Sequence, residues 1–88
     1  IERDISMFVP KKVRVGDAEK TIRECGAAHL TRVQLLDVYL PREDRSRKSI
    51  ALRLTFRSKD RTLTETEIEK EFDKILSALQ QSLGAEIR

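Results

Sequence analysis

The clearest periodicity in the chain runs from Arg47 to Ser58, where Ile50, Leu52, Leu54 and Phe56 alternate with Ser49, Ala51, Arg53, Thr55 and Arg57. A period of two is what a strand needs to bury one face and leave the other wet. No other strand candidate is as long or as cleanly divided, so this segment is expected at the centre of a sheet. A shorter alternation opens the chain, with Ile5, Met7 and Val9 against Asp4, Ser6 and Phe8. Pro10 closes it by removing a ladder donor. A third strand is expected from Thr31 to Leu40, with Leu36, Val38 and Leu40 buried and Leu35, Asp37 and Tyr39 on the other side.

Burial suggests how the Thr31–Leu40 strand aligns with the Arg47–Ser58 strand. Pairing Val38 with Leu52 and Leu36 with Leu54 keeps both apolar sets on one face, whereas a slip of one residue drives Asp37 against Leu52. That register sets Asp37 across from Arg53 and Tyr39 across from Ala51. The connection Pro41-Arg42-Glu43-Asp44-Arg45-Ser46 has charge and no period, as an exposed hairpin tip would.

Helical spacing occurs twice. Asp17 is expected as the N-cap of a short helix reaching Glu24 or Cys25, with Ala18, Ile22 and Cys25 on one face and Gly26 closing it. Thr64-Glu65-Thr66-Glu67 reads as a capping box, a hydroxyl at the cap and a glutamate three residues on. Ile68, Phe72, Ile75, Leu76, Leu79 and Leu83 then repeat at helical spacing until Gly84, and residues 85–88 can form a short last strand. The order strand, helix, strand, strand, helix, strand predicts an α+β fold. It is the ferredoxin-like βαββαβ sandwich, a four-stranded antiparallel sheet with two helices on one face.

Composition narrows the rest. Eighty-eight residues leave room for one core, so a single domain is expected over residues 1–88. The strand pattern begins by Arg3 with no initiator Met, as in a piece cut from a longer protein. No apolar run approaches the roughly 18 residues of a membrane span, and no membrane partner is expected. One cysteine and one histidine exclude an internal disulfide and a zinc site, and suit a reducing, cytoplasmic setting. The net charge of +3, from 18 basic and 15 acidic residues, permits an anionic partner without demanding one.

No catalytic set is expected. Cys25 lies on the apolar helix face as a small hydrophobe and His29 falls outside the helical register. Glu65, Glu67, Glu69 and Glu71 fit a solvated face matched to the helix dipole. There is no glycine-rich phosphate loop. The open sheet face is more informative: Phe8, Tyr39 and Leu35 with Asp37, Ser49 and Arg53, rimmed by Arg42, Arg45, Arg47 and Lys48 at the tip and by Lys11, Lys12 and Arg14. Rings on a sheet, rimmed by cations, suit single-stranded RNA. The same surface can dock another protein domain or a second copy, with Asp37 and Arg53 as a cross-strand ion pair. A small-molecule regulatory role has no supporting motif.

Several strings carry a resemblance: Arg3-Asp4-Ile5-Ser6, Leu36-Asp37-Val38-Tyr39, Lys48-Ser49-Ile50-Ala51-Leu52-Arg53-Leu54-Thr55-Phe56, Arg61-Thr62-Leu63-Thr64 and Gly84-Ala85-Glu86-Ile87-Arg88. In this order, over essentially the whole chain, they resemble the ferredoxin-fold anticodon-binding domain that ends the bacterial phenylalanyl-tRNA synthetase β chain. The resemblance implies a non-catalytic domain that contacts the anticodon stem-loop of tRNA-Phe. It also implies a parent heterotetramer in which the rest of the β chain and a catalytic α chain ligate phenylalanine to tRNA with ATP and magnesium, and no cofactor in this segment. Carried over by position, Asp37, Tyr39, Ser49 and Arg53 are expected to face RNA, joined by Phe8 on the open face and by Arg47 and Lys48 at the tip. Arg3, Asp4 and the turn Arg61–Thr64 are expected to be structural. Two positions depart from the family: Met7 stands where an aromatic residue is common, and the tip 41–46 is longer and more charged.

Overall fold

A computed structural model describes all residues from Ile1 to Arg88. Its elements are β1 (Glu2–Pro10), α1 (Val15–Glu24), β2 (Leu30–Tyr39), β3 (Arg47–Phe56), α2 (Glu65–Leu83) and β4 (Glu86–Ile87). The strands form one sheet in the order β2-β3-β1-β4, with β1 pairing antiparallel to both neighbours and β2 antiparallel to β3. The expected ferredoxin-like arrangement is therefore present, with β1 and β3 central. One cluster of 16 buried side chains forms the core. Ile5, Met7 and Val9 of β1 and Ile50, Leu52, Leu54 and Phe56 of β3 supply its sheet side. Ala18 and Ile22 of α1 and Ile68, Ile75 and Leu79 of α2 cover it.

The long helix starts as its sequence requires. The Thr64 hydroxyl accepts from the Glu67 N–H at 3.2 Å, and the Glu67 carboxylate accepts back from the Thr64 N–H at 3.3 Å. Arg61 doubles the grip, donating to both Glu67 carboxylate oxygens at 2.6 and 2.5 Å. Those hydrogen bonds hold the Glu67 carboxyl at a pKa of about 2, against an ordinary 4.5. Gly84 ends the helix at φ 65°, a conformation that costs other residues more.

The short helix differs from expectation. It begins at Val15, three residues earlier than a cap at Asp17 implies, so Asp17 is not the cap but the third helical residue. There its carboxylate accepts the Arg14 N–H at 2.9 Å, so an orphan donor of the first turn is met from inside the helix. The earlier start lets Val15 pack on the core.

The β2–β3 register also differs. Val33 lies opposite Leu54 and Leu35 opposite Leu52, but Asp37 then lies opposite Ala51, Val38 opposite Ile50 and Tyr39 opposite Ser49. Leu36 is the extra residue of a β-bulge, and a second irregularity falls at Thr31. The bulge resets the phase, which is how one strand brings both Leu35 and Val38 to the helix side while Asp37 and Tyr39 stay on the open side. Leu35 is thus not an open-face residue, Leu36 does not oppose Leu54, and Asp37 does not oppose Arg53.

Candidate nucleic-acid interface

The face turned from the helices carries Asp4, Ser6 and Phe8 of β1, Arg47, Ser49, Ala51 and Arg53 of β3, and Asp37 and Tyr39 of β2. Its centre is charge-paired. Asp4 lies directly across from Arg53, whose Nε and Nη2 donate to the two carboxylate oxygens at 2.9 and 3.2 Å. These bonds hold the Asp4 carboxyl below its ordinary range and push the Arg53 guanidinium above its own. The expected partnership of Arg53 with Asp37 is replaced by this one.

Toward β4, Phe8 is covered by two guanidinium groups. Arg47 sits 4.4 Å and Arg88 4.9 Å from the ring centroid, within range for cation–π attraction. Arg88 also donates to the Ser49 hydroxyl at 3.2 Å, and Ser49 is buried beneath it. Arg47 in turn binds Asp44, with Nε donating at 3.0 Å, and pairs with Glu86. Phe8, Arg47 and Ser49 therefore form one packed cluster, with Arg47 engaged by Asp44 and Glu86 and Ser49 by Arg88.

The other expected contact residues are not part of that cluster, although Tyr39 is the ladder partner of Ser49. Tyr39 is 52% exposed, and Asp37 is exposed and in no ion pair. Lys48 pairs with Val9 in the ladder, so alternation turns it to the helix side, opposite Arg47. Around them the cations at this end of the sheet are free: Lys11, Lys12, Arg42, Arg45 and Lys48 take part in none of the ion pairs. The tip itself is ordered by Asp44, which accepts from the Ser46 hydroxyl at 2.5 Å and the Ser46 N–H at 3.0 Å. Those bonds, the hydroxyl's first, hold the Asp44 carboxyl below its ordinary range.

Two residues central to this arrangement had no place among the expected contacts. Asp4 was findable, because matching Ile5 to Leu52 and Met7 to Ile50 brings it against Arg53. Arg88 was not, because β4 is two residues long and carries no period. The nucleophile candidates are occupied separately. The Cys25 thiol donates to the Ile22 carbonyl at 3.0 Å, and Glu71 grips His29 through its N–H at 2.7 Å and Nδ1 at 2.5 Å. No three His, Cys, Asp or Glu side chains converge as a metal-holding group. No helix is long and apolar enough to cross a membrane.

Comparison with known proteins places this geometry in context. The family model described as "Ferredoxin-fold anticodon binding domain" matches residues 1–88. The phenylalanine–tRNA ligase beta subunit of Trichormus variabilis is 39% identical over 88 residues, which is 99% of this chain and 11% of that protein. Those of Clostridium tetani and Salinibacter ruber are 39% and 38% identical over 89 residues, covering all of this chain and 11% of each relative. The chain thus spans about 11% of the length of these relatives.

Proposed function

Because the chain belongs to the ferredoxin-fold anticodon-binding domain family, we propose that it contacts the anticodon stem-loop of tRNA-Phe as a non-catalytic domain of a phenylalanine–tRNA ligase beta subunit. The observation that carries this reading is Tyr39: a half-exposed ring at the edge of an open sheet face, beside cations that no carboxylate neutralises. A base stacks on Tyr39, and the Asp37 carboxylate accepts from base N–H groups beside it. At the tip Lys48, on the helix side, holds one phosphate, and Arg47, on the open side, holds another by exchanging Glu86 for it. Phe8 and Ser49 shape the floor under Arg47 and Arg88, and Arg53 joins the contact by exchanging Asp4 for a phosphate.

In an enzyme of the relatives' kind, phenylalanine is activated with ATP and magnesium elsewhere, in a separate α chain of a heterotetramer. This domain, with the rest of the β chain, orients the tRNA. The test is titration of the 88-residue chain, which carries its own closed core, with the anticodon stem-loop at rising salt. Affinity falls steeply as salt rises. Unchanged affinity in both Tyr39→Ala and Arg53→Ala proteins contradicts the sheet-face contact.

One observation favours a second reading, docking on protein. Leu35, Leu36 and Val38 of β2, and Leu40 just after it, are each 40% or more exposed, an apolar strip on an edge strand. That reading expects self-association that grows with concentration and ignores RNA, which sedimentation with and without tRNA distinguishes.

A further inference from the structure

At the β2–β3 connection, Lys11, Leu40, Pro41, Arg42 and Arg45 line a concavity of about 240 Å³. Two distant segments build it and are tied together, the Lys11 N–H donating to the Ser46 carbonyl at 2.9 Å. Pro41 is buried, whereas Lys11, Arg42 and Arg45 are exposed. None of these three cations takes part in an ion pair. The acids nearby do not quench them. Asp44 is committed to Ser46 and Arg47, which leaves exposed Glu43 as the one free carboxylate of the connection.

The size of the hollow and its charge point to one kind of ligand. It is smaller than the roughly 300–1,000 Å³ of sites that enclose small organic molecules. Three unpaired cations converging on a shallow hollow suit a compact anion, and two of them are arginines, whose forks match phosphate oxygens. The hollow begins at Leu40, next in the chain to Tyr39, so an anion held there lies beside whatever stacks on that ring.

We propose that Lys11, Arg42 and Arg45 form a clamp for a phosphodiester group of the RNA backbone, adjacent to the base stacked on Tyr39. The clamp rests on the RNA-binding reading above and adds a sequence-independent anchor to it. Its charge gives a role to Arg42 and Arg45, which take no part in the Asp44, Ser46 and Arg47 bonds that order the tip.

The test compares the wild-type chain with a Lys11→Gln, Arg42→Gln, Arg45→Gln variant. Each is titrated with the anticodon stem-loop, and with one of scrambled loop sequence, between about 50 and 200 mM salt. The clamp predicts an unchanged melting midpoint, because all three side chains are exposed. It also predicts affinity lowered by roughly tenfold or more at the low-salt end for both RNAs, and a salt slope shallower by about one, because a single phosphate is neutralised. Unchanged affinity and slope, with Tyr39→Ala still weakening binding, overturn the clamp and leave the proposed function standing. A loss confined to one loop sequence overturns it too, since a backbone contact is blind to bases. If inorganic phosphate displaces RNA from the wild type beyond a chloride control of equal ionic strength, the hollow is a free-phosphate site instead. Failure of the wild type to bind either RNA removes both proposals.

Discussion

β2 and β3 are hydrogen-bonded partners of ten residues each, yet they meet opposite fates. In β3, Ile50, Leu52, Leu54 and Phe56 are at most 1% exposed, whereas Val33 is the only buried residue of β2. Apolar content does not separate them, since β2 carries Leu30, Val33, Leu35, Leu36 and Val38. Position does. β3 lies between two strands under both helices, while β2 is an edge strand. The ten-residue α1 is the helix above it, and α2 packs toward α1 and β4. The difference teaches that burial here is set by what the topology lays over a strand. The uncovered half of β2 is left with apolar, aromatic and acidic groups that no core employs.

The sharpest way to break this contrast is a matched pair of truncations. Leu52→Ala removes a fully buried side chain and should cost about 2–5 kcal/mol of stability. Val38→Ala, 41% exposed in the partner strand, should stay within roughly 1 kcal/mol. Urea unfolding of both proteins checks it, and equal costs would refute the contrast.

Binding should show the reverse order. Tyr39→Ala is expected to lose about 1–3 kcal/mol of stem-loop affinity with an unchanged melting midpoint. Calorimetric titration reads the first and a thermal scan the second. Asp4→Asn should have a smaller effect of opposite sign. Freeing Arg53 adds a cation to the open face, and stem-loop binding should tighten by roughly threefold at low salt. Weaker binding would mean that Asp4 itself takes part in the contact.

The smallest effect belongs to the helix start on the buried strand's side of the contrast. β3 leads into the Arg61–Glu67 bond that caps α2, and the Glu67 pKa is depressed to about 2 from 4.5. A depressed carboxyl contributes stability that is present above its unfolded pKa and lost as pH falls through the folded one. Acid denaturation of the wild type should therefore steepen between pH 4.5 and about 2. In Glu67→Gln that window should be flatter, as pH-dependent unfolding curves would record.

Local chemistry made part of the fold legible. Thr64 and Glu67 stand three apart and cap the helix, Gly84 supplies its left-handed end, and the alternation in β3 marks a central strand. What could not be read depended on partners far along the chain. The register of β2 turned on one extra residue, and the doubled Leu35-Leu36 interrupting a period of two was its only local trace. The same bulge sets Gln34, not Asp37, across from Arg53 in β2, so Arg53 pairs with Asp4 on its β1 side, where unbroken alternation made the match findable. Asp17 sits close enough to the helix start to serve as cap or third residue, and only the packing of Val15 decides. Of the candidate contact residues, Asp37 and Tyr39 stayed open as alternation implied, whereas the cover over Phe8 and Ser49 came from Arg88, beyond a strand too short to announce itself.

The central claim is that RNA meets this chain at the outer half of β2 and the charged tip. Amide shift mapping during titration with the tRNA-Phe anticodon stem-loop tests it most directly. The account predicts shifts concentrated at Asp37, Tyr39, Lys11 and residues 42–48, with α2 unaffected. Absence of shifts, or shifts confined to the helices, would contradict it.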